Sequence, residues 1–103
     1  MRADSAAIKK ERARALATQA RALEELVHER LEAYVAALQG HLPRDLYALI
    51  MPQLERPLIR VAMSLAEGRQ SVAATMLGIH RNTLRARIRE LGLEDEFTAK
   101  PRR

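Results

Sequence analysis

Apolar residues recur every three or four positions along most of the chain, which is the spacing of amphipathic helices. The first such stretch runs from about Ala6 to Leu38 without glycine or proline, and it predicts one long helix that ends at Gly40. Its apolar face is strongest from Leu23 onward. The face consists of Leu16, Ala20, Leu23, Val27, Leu31, Tyr34 and Leu38.

A second helix is predicted from about Asp45 to Glu67, with Asp45 as its N-cap residue. Its apolar face consists of Leu46, Leu49, Ile50, Leu54, Leu58, Val61, Ala62 and Leu65. Pro57 has no backbone N–H to donate, so we expect a kink there. Pro52 makes a second kink or divides the segment into two shorter helices, and the sequence leaves both open.

Two short helices follow Gly68 and form a helix-turn-helix pattern. The first spans Ser71 to Leu77, the turn is Gly78-Ile79-His80, and the second spans Arg81 to Leu91 before Gly92. Gly78 suits a turn that needs a positive φ, and the small Ala74 suits a close helix crossing. The inner face is predicted to hold Val72, Ala73, Met76, Leu77, Ile79, Leu84, Ile88 and Leu91. The charged end of the chain is expected to be partly disordered.

The composition narrows the class of protein. A chain of 103 residues whose apolar content is mostly Leu and Ala predicts a single all-α domain. Cysteine is absent, and His28, His41 and His80 lack metal-ligand spacing, so we expect no metal and no cofactor. The serines have no His–carboxylate partners at suitable positions, and there is no glycine-rich phosphate loop. An enzyme with a small-molecule substrate is therefore not expected. No membrane-length apolar run is present, and a cytoplasmic location is expected.

Charge divides the chain into segments. Residues 1–22 carry six basic and two acidic side chains, residues 23–67 four and seven, and residues 68–103 eight and four. Basic ends suit a polyanion, whereas the more acidic middle suits a protein contact. We therefore predict a basic extension at 1–22, helical or frayed, dimerisation helices at 23–67, a helix-turn-helix unit at 68–93, and a flexible tail at 94–103.

The last predicted helix carries the candidate binding chemistry. Between Gly78 and Arg89 there are four arginines and no acidic residue. Asn82, Ala86 and Arg89 lie opposite the core-facing side, with Arg85 on the flank and Arg81 in the first turn. An arginine fork can bridge both major-groove acceptors of guanine, and the first turn of such a helix meets base edges. The pattern favours double-stranded DNA, because exposed aromatics that would stack on single-stranded RNA are lacking.

A longer pattern resembles the Fis family, the bacterial factors for inversion stimulation, and the related C-terminal DNA-binding domains of NtrC-type activators. The match holds without gaps from about Leu23 to Leu93. It comprises Leu31, Tyr34, Leu38, Gly40, Asp45-Leu46-Tyr47, Glu55, Pro57-Leu58, Met63, Gly68, Gln70, Ala73-Ala74, Met76, Gly78-Ile79, Arg81, Thr83-Leu84-Arg85 and Gly92.

The resemblance implies a four-helix subunit whose first two helices intertwine with those of a second copy. Its paired recognition helices would lie closer than one turn of straight DNA, so that DNA bends toward the protein. The expected dimer contacts are Leu23, Val27, Leu31, Tyr34, Leu38, Leu46, Leu49, Ile50, Leu54, Leu58 and Val61. Further implied partners are RNA polymerase or the sigma-54 machinery.

Family roles carry over to matching positions. Arg81 and Arg85 would contact bases, whereas Gln70, Ser71, Thr83 and Arg87 would contact phosphates. The complete expected DNA-contacting set is Gln70, Ser71, His80, Arg81, Asn82, Thr83, Arg85, Arg87 and Arg89. The chain also departs from the family pattern at three positions. His80 replaces a capping Asn and is expected to be a poorer cap. Glu90 replaces a basic residue, and Asn82 is more typical of the NtrC-type domains. Residues 1–22 do not resemble the family's invertase-activating β-hairpin arm.

Three functions follow from this sequence. The first is a sequence-tolerant, DNA-bending homodimer that acts in transcription or in the bacterial nucleoid. The second is the C-terminal output domain of an NtrC-type, sigma-54-dependent activator, which would be distinguished by coding sequence before Met1. The third is a helical protein–protein adaptor, which would not bind DNA at physiological salt.

Overall fold

Helices form nearly all of the described chain. The computed structural model describes residues 2–98, with side chains from residue 5 to residue 97. The helices are α1 (Arg2–Ala37), α2 (Leu46–Leu65), α3 (Gln70–Leu77), α4 (Arg81–Glu90) and α5 (Glu94–Thr98). No strand is present in this part of the chain. The all-α prediction is confirmed, and the four predicted helices are joined by a fifth.

The chain divides into two units, the first ending at Arg44 and the second beginning at Asp45. Helix α1 begins at Arg2, four residues before the predicted start. Every described side chain from residue 5 to residue 26 is exposed, and Leu16 is 70% accessible. Among the described residues, every member of the buried apolar core belongs to the second unit. By itself α1 therefore has an apolar face with little to cover it.

Helix α2 runs through both of its prolines. Pro52 and Pro57 lie inside one continuous helix from Leu46 to Leu65, so the alternative of two shorter helices is wrong. The predicted N-cap position of Asp45 is confirmed, but its side chain does not act as the cap. Asp45 occupies the N-cap position with φ 54° and ψ 35°, and its side chain makes no capping hydrogen bond. Instead its backbone carbonyl accepts from the Leu49 N–H at 3.0 Å and starts the helix.

The core lies between α2, α3 and α4. Leu84, Ile88 and Leu91 are at most 4% exposed, as the periodicity predicted. The full buried set is Ile59, Ala62, Met63, Ala66, Ala73, Ala74, Leu84, Ile88, Leu91 and Leu93. Two inner-face predictions are wrong, because Met76 is 50% exposed and Ile79 is 38% exposed. At about 100° per residue, Met76 lies on the side of α3 away from the buried Ala74.

The predicted flexible tail contains a folded segment. Helix α5 spans Glu94–Thr98, Leu93 before it is 1% exposed, and Phe97 packs against the core. A bidentate ion pair joins Arg60 of α2 to Glu96, with Nε–Oε1 at 3.0 Å and Nη2–Oε2 at 2.9 Å. The prediction of a flexible tail is therefore wrong for residues 94–98, which form a helix. The rest of that prediction, residues 99–103, lies outside the described residues.

Candidate nucleic-acid interface

The turn between α3 and α4 is set by a left-handed glycine. Gly78 has φ 75°, a conformation that strains any residue with a Cβ, and this confirms the role predicted for it. Its N–H donates to the Ala74 carbonyl at 2.9 Å, and the Ile79 N–H donates to the same carbonyl at 3.1 Å. These bonds close α3 and direct the chain into α4. The two helices of the motif are thereby fixed to each other.

His80 caps α4 through its imidazole ring. Its backbone is extended, at φ −70° and ψ 147°, and the Asn82 N–H donates to His80 Nδ1 at 3.0 Å. The expectation that histidine is a weak cap needs correction here, because the ring nitrogen replaces the usual side-chain oxygen. Accepting this bond requires an unprotonated Nδ1, so the proton of the neutral ring lies on Nε2. The ring is exposed and its second nitrogen can act as a donor.

One face of α4 presents exposed polar and basic side chains. Arg81, Arg85 and Arg89 follow each other at intervals of four residues and are exposed. None of the ion pairs between described residues involves these three arginines. Asn82 and Thr83 are exposed on the same helix, whereas the predicted surface residue Ala86 is half-buried. The face thus holds three positive charges without a carboxylate to neutralise them.

Arg87 has a different environment from the one predicted. Its Nε donates to Glu55 Oε2 at 3.0 Å, and its two terminal nitrogens donate to Glu55 Oε1 and Glu90 Oε1. Its side chain is 33% exposed, and that of Glu55 is 29% exposed. The hydrogen bond to Glu55 raises the pKa of the Arg87 guanidinium. Two carboxylates therefore already occupy the fork that was expected to meet phosphate.

Helix α3 contributes its first turn to the candidate interface. Gln70 is the first residue of the helix and is half-buried, whereas Ser71 is exposed. Helix α3 starts one residue earlier than predicted. The Thr75 hydroxyl donates to the Ser71 carbonyl at 3.1 Å. The first N–H groups of a helix have no carbonyl partner within the helix itself. Such N–H groups attract anions such as phosphate.

The predicted dimer residues differ in exposure. On α1, Leu23 and Tyr34 are exposed, while Val27 and Leu31 are half-buried; Leu38, directly after the end of α1, is half-buried as well. On α2, Leu46 and Ile50 are half-buried, while Leu49, Leu54, Leu58 and Val61 are exposed. The structure adds Tyr47 at 79% exposure and Leu65 at 69%. We call Tyr47, Leu54, Leu58, Val61 and Leu65 the apolar stripe of α2; at about 100° per residue they share one side of the helix.

The residues that sequence reasoning missed are those that hold the motif to α2. Glu55 pairs with Arg87, and the neighbouring Arg56 donates from Nε to the Leu91 carbonyl at 3.0 Å. Leu91 is the C-cap residue of α4. These partners lie 32 and 35 positions apart in the chain, beyond the reach of any helical periodicity. The signal that the sequence offers for these contacts is an acidic and a basic residue side by side in a largely apolar helix.

Other kinds of site were not found in the described part of the chain. Between residues 2 and 98, no helix is long and apolar enough to cross a membrane. The same residues contain no group of three or more potential ligands that could hold a metal ion.

An α-helical core that presents an arginine-bearing second helix after a glycine turn defines a helix-turn-helix protein. The model of the bacterial regulatory proteins of the Fis family matches residues 50–91, from α2 to the end of α4. A "DNA-binding protein Fis" from Psychromonas ingrahamii is 41% identical over 73 residues, which cover 71% of this chain and 74% of that protein. A "putative Fis-like DNA-binding protein" from Ralstonia nicotianae is 38% identical, over 69% of this chain and 92% of that protein. The chain belongs to the Fis family.

Proposed function

We propose that this protein is a Fis-type regulator that binds and bends double-stranded DNA as a homodimer. The observation that carries the proposal is the face of α4, where Arg81, Arg85 and Arg89 are exposed and have no carboxylate partner among the residues that the structure describes. A closed apolar core holds this helix, so the side chains approach DNA on a rigid support. The relatives' names support the same ligand, since they are called DNA-binding proteins.

The positions on the motif suggest a division of roles. Arg81, in the first turn of α4, and Arg85, one turn later, would read base edges in the major groove. Arg89, Thr83 and Asn82 would contact the phosphate backbone together with Ser71 and Gln70 at the start of α3. His80 would add a phosphate contact through Nε2, the ring nitrogen that its cap leaves available. Arg87 is left out of this set because its guanidinium is bound to Glu55 and Glu90.

The homodimer is supported by the apolar side chains that the single chain leaves exposed. Leu58, Val61 and Leu65 of the apolar stripe are 57%, 58% and 69% accessible. Burial of such side chains contributes about 25 cal/mol per Å², which favours association with a self-complementary surface. Two motifs on one two-fold axis would contact successive half-sites of a duplex. When the dimer is bound to the chromosome, its remaining surface would be accessible to RNA polymerase or the sigma-54 machinery.

Affinity for DNA as a function of salt tests the proposed function. We expect the wild-type chain to bind duplexes, with a log–log salt slope of about −0.9 for each phosphate neutralised. Replacing Arg85 and Arg89 with alanine should weaken binding and make the slope shallower. The matched control is Arg14→Ala with Lys10→Ala, which removes the same charge from α1. Absence of binding at physiological salt, or equal losses in both double variants, would contradict the proposal and favour the adaptor function.

A further inference from the structure

An ion pair links α2 to the proposed recognition helix α4. The guanidinium of Arg87 and the carboxylate of Glu55 meet side by side through two hydrogen bonds, a geometry that fixes both distance and orientation. Both side chains are about two-thirds covered. Glu90, three residues further along α4, accepts from the other terminal nitrogen and holds the fork from the α4 side.

A second contact lies at the C-terminal end of the same helix. Arg56, the residue after Glu55, donates from Nε to the Leu91 carbonyl, which ends α4. This bond satisfies one of the C-terminal carbonyls that a helix leaves without a partner. Two consecutive residues of α2 therefore hold α4 at two points four residues apart. Ile59 belongs to the apolar core, whose packing is non-directional, whereas these two hydrogen-bonded contacts are directional and restrict how α4 can turn relative to α2.

The same part of α2 carries the surface proposed for dimerisation. Leu54 precedes Glu55 and Leu58 follows one turn later, and both belong to the apolar stripe. Successive residues of a helix point about 100° apart. The same turn of α2 can therefore contact the partner chain through Leu54 and Leu58 and contact α4 through Glu55. A change in the angle of α4 on α2 would therefore change the separation of the two recognition helices in the dimer.

We infer that the Glu55–Arg87 ion pair is a positioning element that sets the half-site spacing which the dimer recognises on DNA. This role rests on the proposed function, because it needs a dimer bound to a duplex. In this role Arg87 orients α4 instead of binding a phosphate. Glu55 affects which DNA the protein selects although it does not contact the DNA.

The two possible roles of Arg87 predict opposite effects for Glu55→Gln. If Arg87 contacts a phosphate, releasing it from Glu55 increases its positive field and strengthens binding to every duplex, while Arg87→Gln weakens binding to every duplex. If the pair positions α4, both substitutions remove the same constraint. Both variants then change the dependence of affinity on spacing in the same direction.

The experiment uses the full chain and a duplex that the wild-type protein selects from a random pool. Base pairs are inserted or removed one at a time at the centre of this duplex, and the affinity is measured for each length. We expect the preference for the best length to fall by about three- to fivefold in both Glu55→Gln and Arg87→Gln, the range for a partly exposed ion pair. Arg87→Lys, which keeps the charge, should recover part of the preference.

Arg60→Gln is the matched control, because it breaks the ion pair with Glu96 of α5 and leaves α4 in place. We expect it to keep the wild-type spacing preference. Circular dichroism of each variant checks that the helices remain folded, and Arg87→Lys keeps the test open if a neutral variant unfolds. Stronger binding by Glu55→Gln at all lengths, or an unchanged preference in both neutral variants, would overturn the positioning role alone. A wild-type chain that binds no duplex would contradict the proposed function, and the positioning role would fall with it.

Discussion

The two units of this chain use their apolar residues in opposite ways. From Asp45 onward, α2 to α5 enclose a core in which Met63, Leu84, Ile88 and Leu93 are at most 2% exposed. Helix α1 is almost twice as long as α2, yet Leu16 and Leu23 remain 70% and 61% exposed. A helix of that length gains most of its stability in proteins from packing of its apolar face. The unit that carries the helix-turn-helix therefore has a closed apolar core within one chain, whereas α1 by itself has none, and the proposed dimer would cover its apolar face.

The largest expected effect comes from the closed core of the second unit. Leu84→Ala removes a fully buried side chain from the first turn of α4 and should lower the free energy of unfolding by about 2–5 kcal/mol. Thermal unfolding followed by circular dichroism measures this loss. Leu16→Ala on α1 is the matched control, with an expected change several times smaller. Equal losses of unfolding free energy in Leu84→Ala and Leu16→Ala would contradict the view that the second unit has a closed core and α1 does not.

Association should respond most to the apolar stripe of α2. Leu58→Glu places a charge on a side chain that is 57% exposed in the single chain and that we propose to be buried in the dimer. We expect the dissociation constant of the dimer to rise by on the order of tenfold to a hundredfold, because about 1.5–3 kcal/mol of burial is lost. Sedimentation across a concentration series measures it, with Ser64→Glu, at an exposed polar position of the same helix, as the control. An unchanged association constant would exclude the stripe from the interface.

Base recognition is the next smaller effect. Arg81→Ala should cost about 1–3 kcal/mol on the preferred duplex and much less on a duplex that lacks the contacted guanine. Loss of preference, rather than uniform weakening, is the signature of a base contact. Paired affinity series on duplexes that differ at this base pair measure it, with Arg14→Ala as control. Uniform weakening on all duplexes would assign Arg81 to the phosphate backbone.

The smallest effect concerns α5 and pH. The hydrogen bonds from Arg60 lower the pKa of Glu96 below its ordinary value of 4.5. A carboxyl whose pKa is lower in the folded state stabilises that state above the unfolded pKa, and the contribution is lost as the pH falls through the folded value. We therefore expect α5 to detach below about pH 4.5, which the ring resonances of Phe97 report. Glu96→Gln should remove this transition, and a transition that persists in that variant would rule out the ion pair as its cause.

Local pattern predicted much of the second unit. The spacing of Leu84, Ile88 and Leu91 predicted the buried face of α4, and Gly78 predicted the turn, because both depend on nearby residues. Sequence periodicity could not reveal the Glu55–Arg87 pair, since its partners lie on different helices, 32 positions apart in the chain. Helix α5 was missed because its charged composition resembles a flexible tail, while Phe97 and the ion pair of Glu96 hold it in place.

The candidate site shows the same limit. The arginines on the exposed face of α4 could be predicted because helical geometry separates Arg85 from the buried Leu84 and Ile88. Arg87 could not, because its role depends on a carboxylate supplied by another helix. The resemblance to the family gave Arg87 a phosphate contact, and the structure gives it two internal partners. In the proposed function, tertiary charge pairing as well as helical pattern determines which arginines are available for DNA.

We propose that two chains with closed helix-turn-helix units associate and bind one duplex together. Sedimentation of the free protein and of its complex with a labelled duplex at micromolar concentration tests this most directly. We expect twice the chain mass without DNA, two chains per duplex, and loss of both in Leu58→Glu. A single chain that binds a duplex on its own, with Leu58→Glu indistinguishable from wild type, would contradict it.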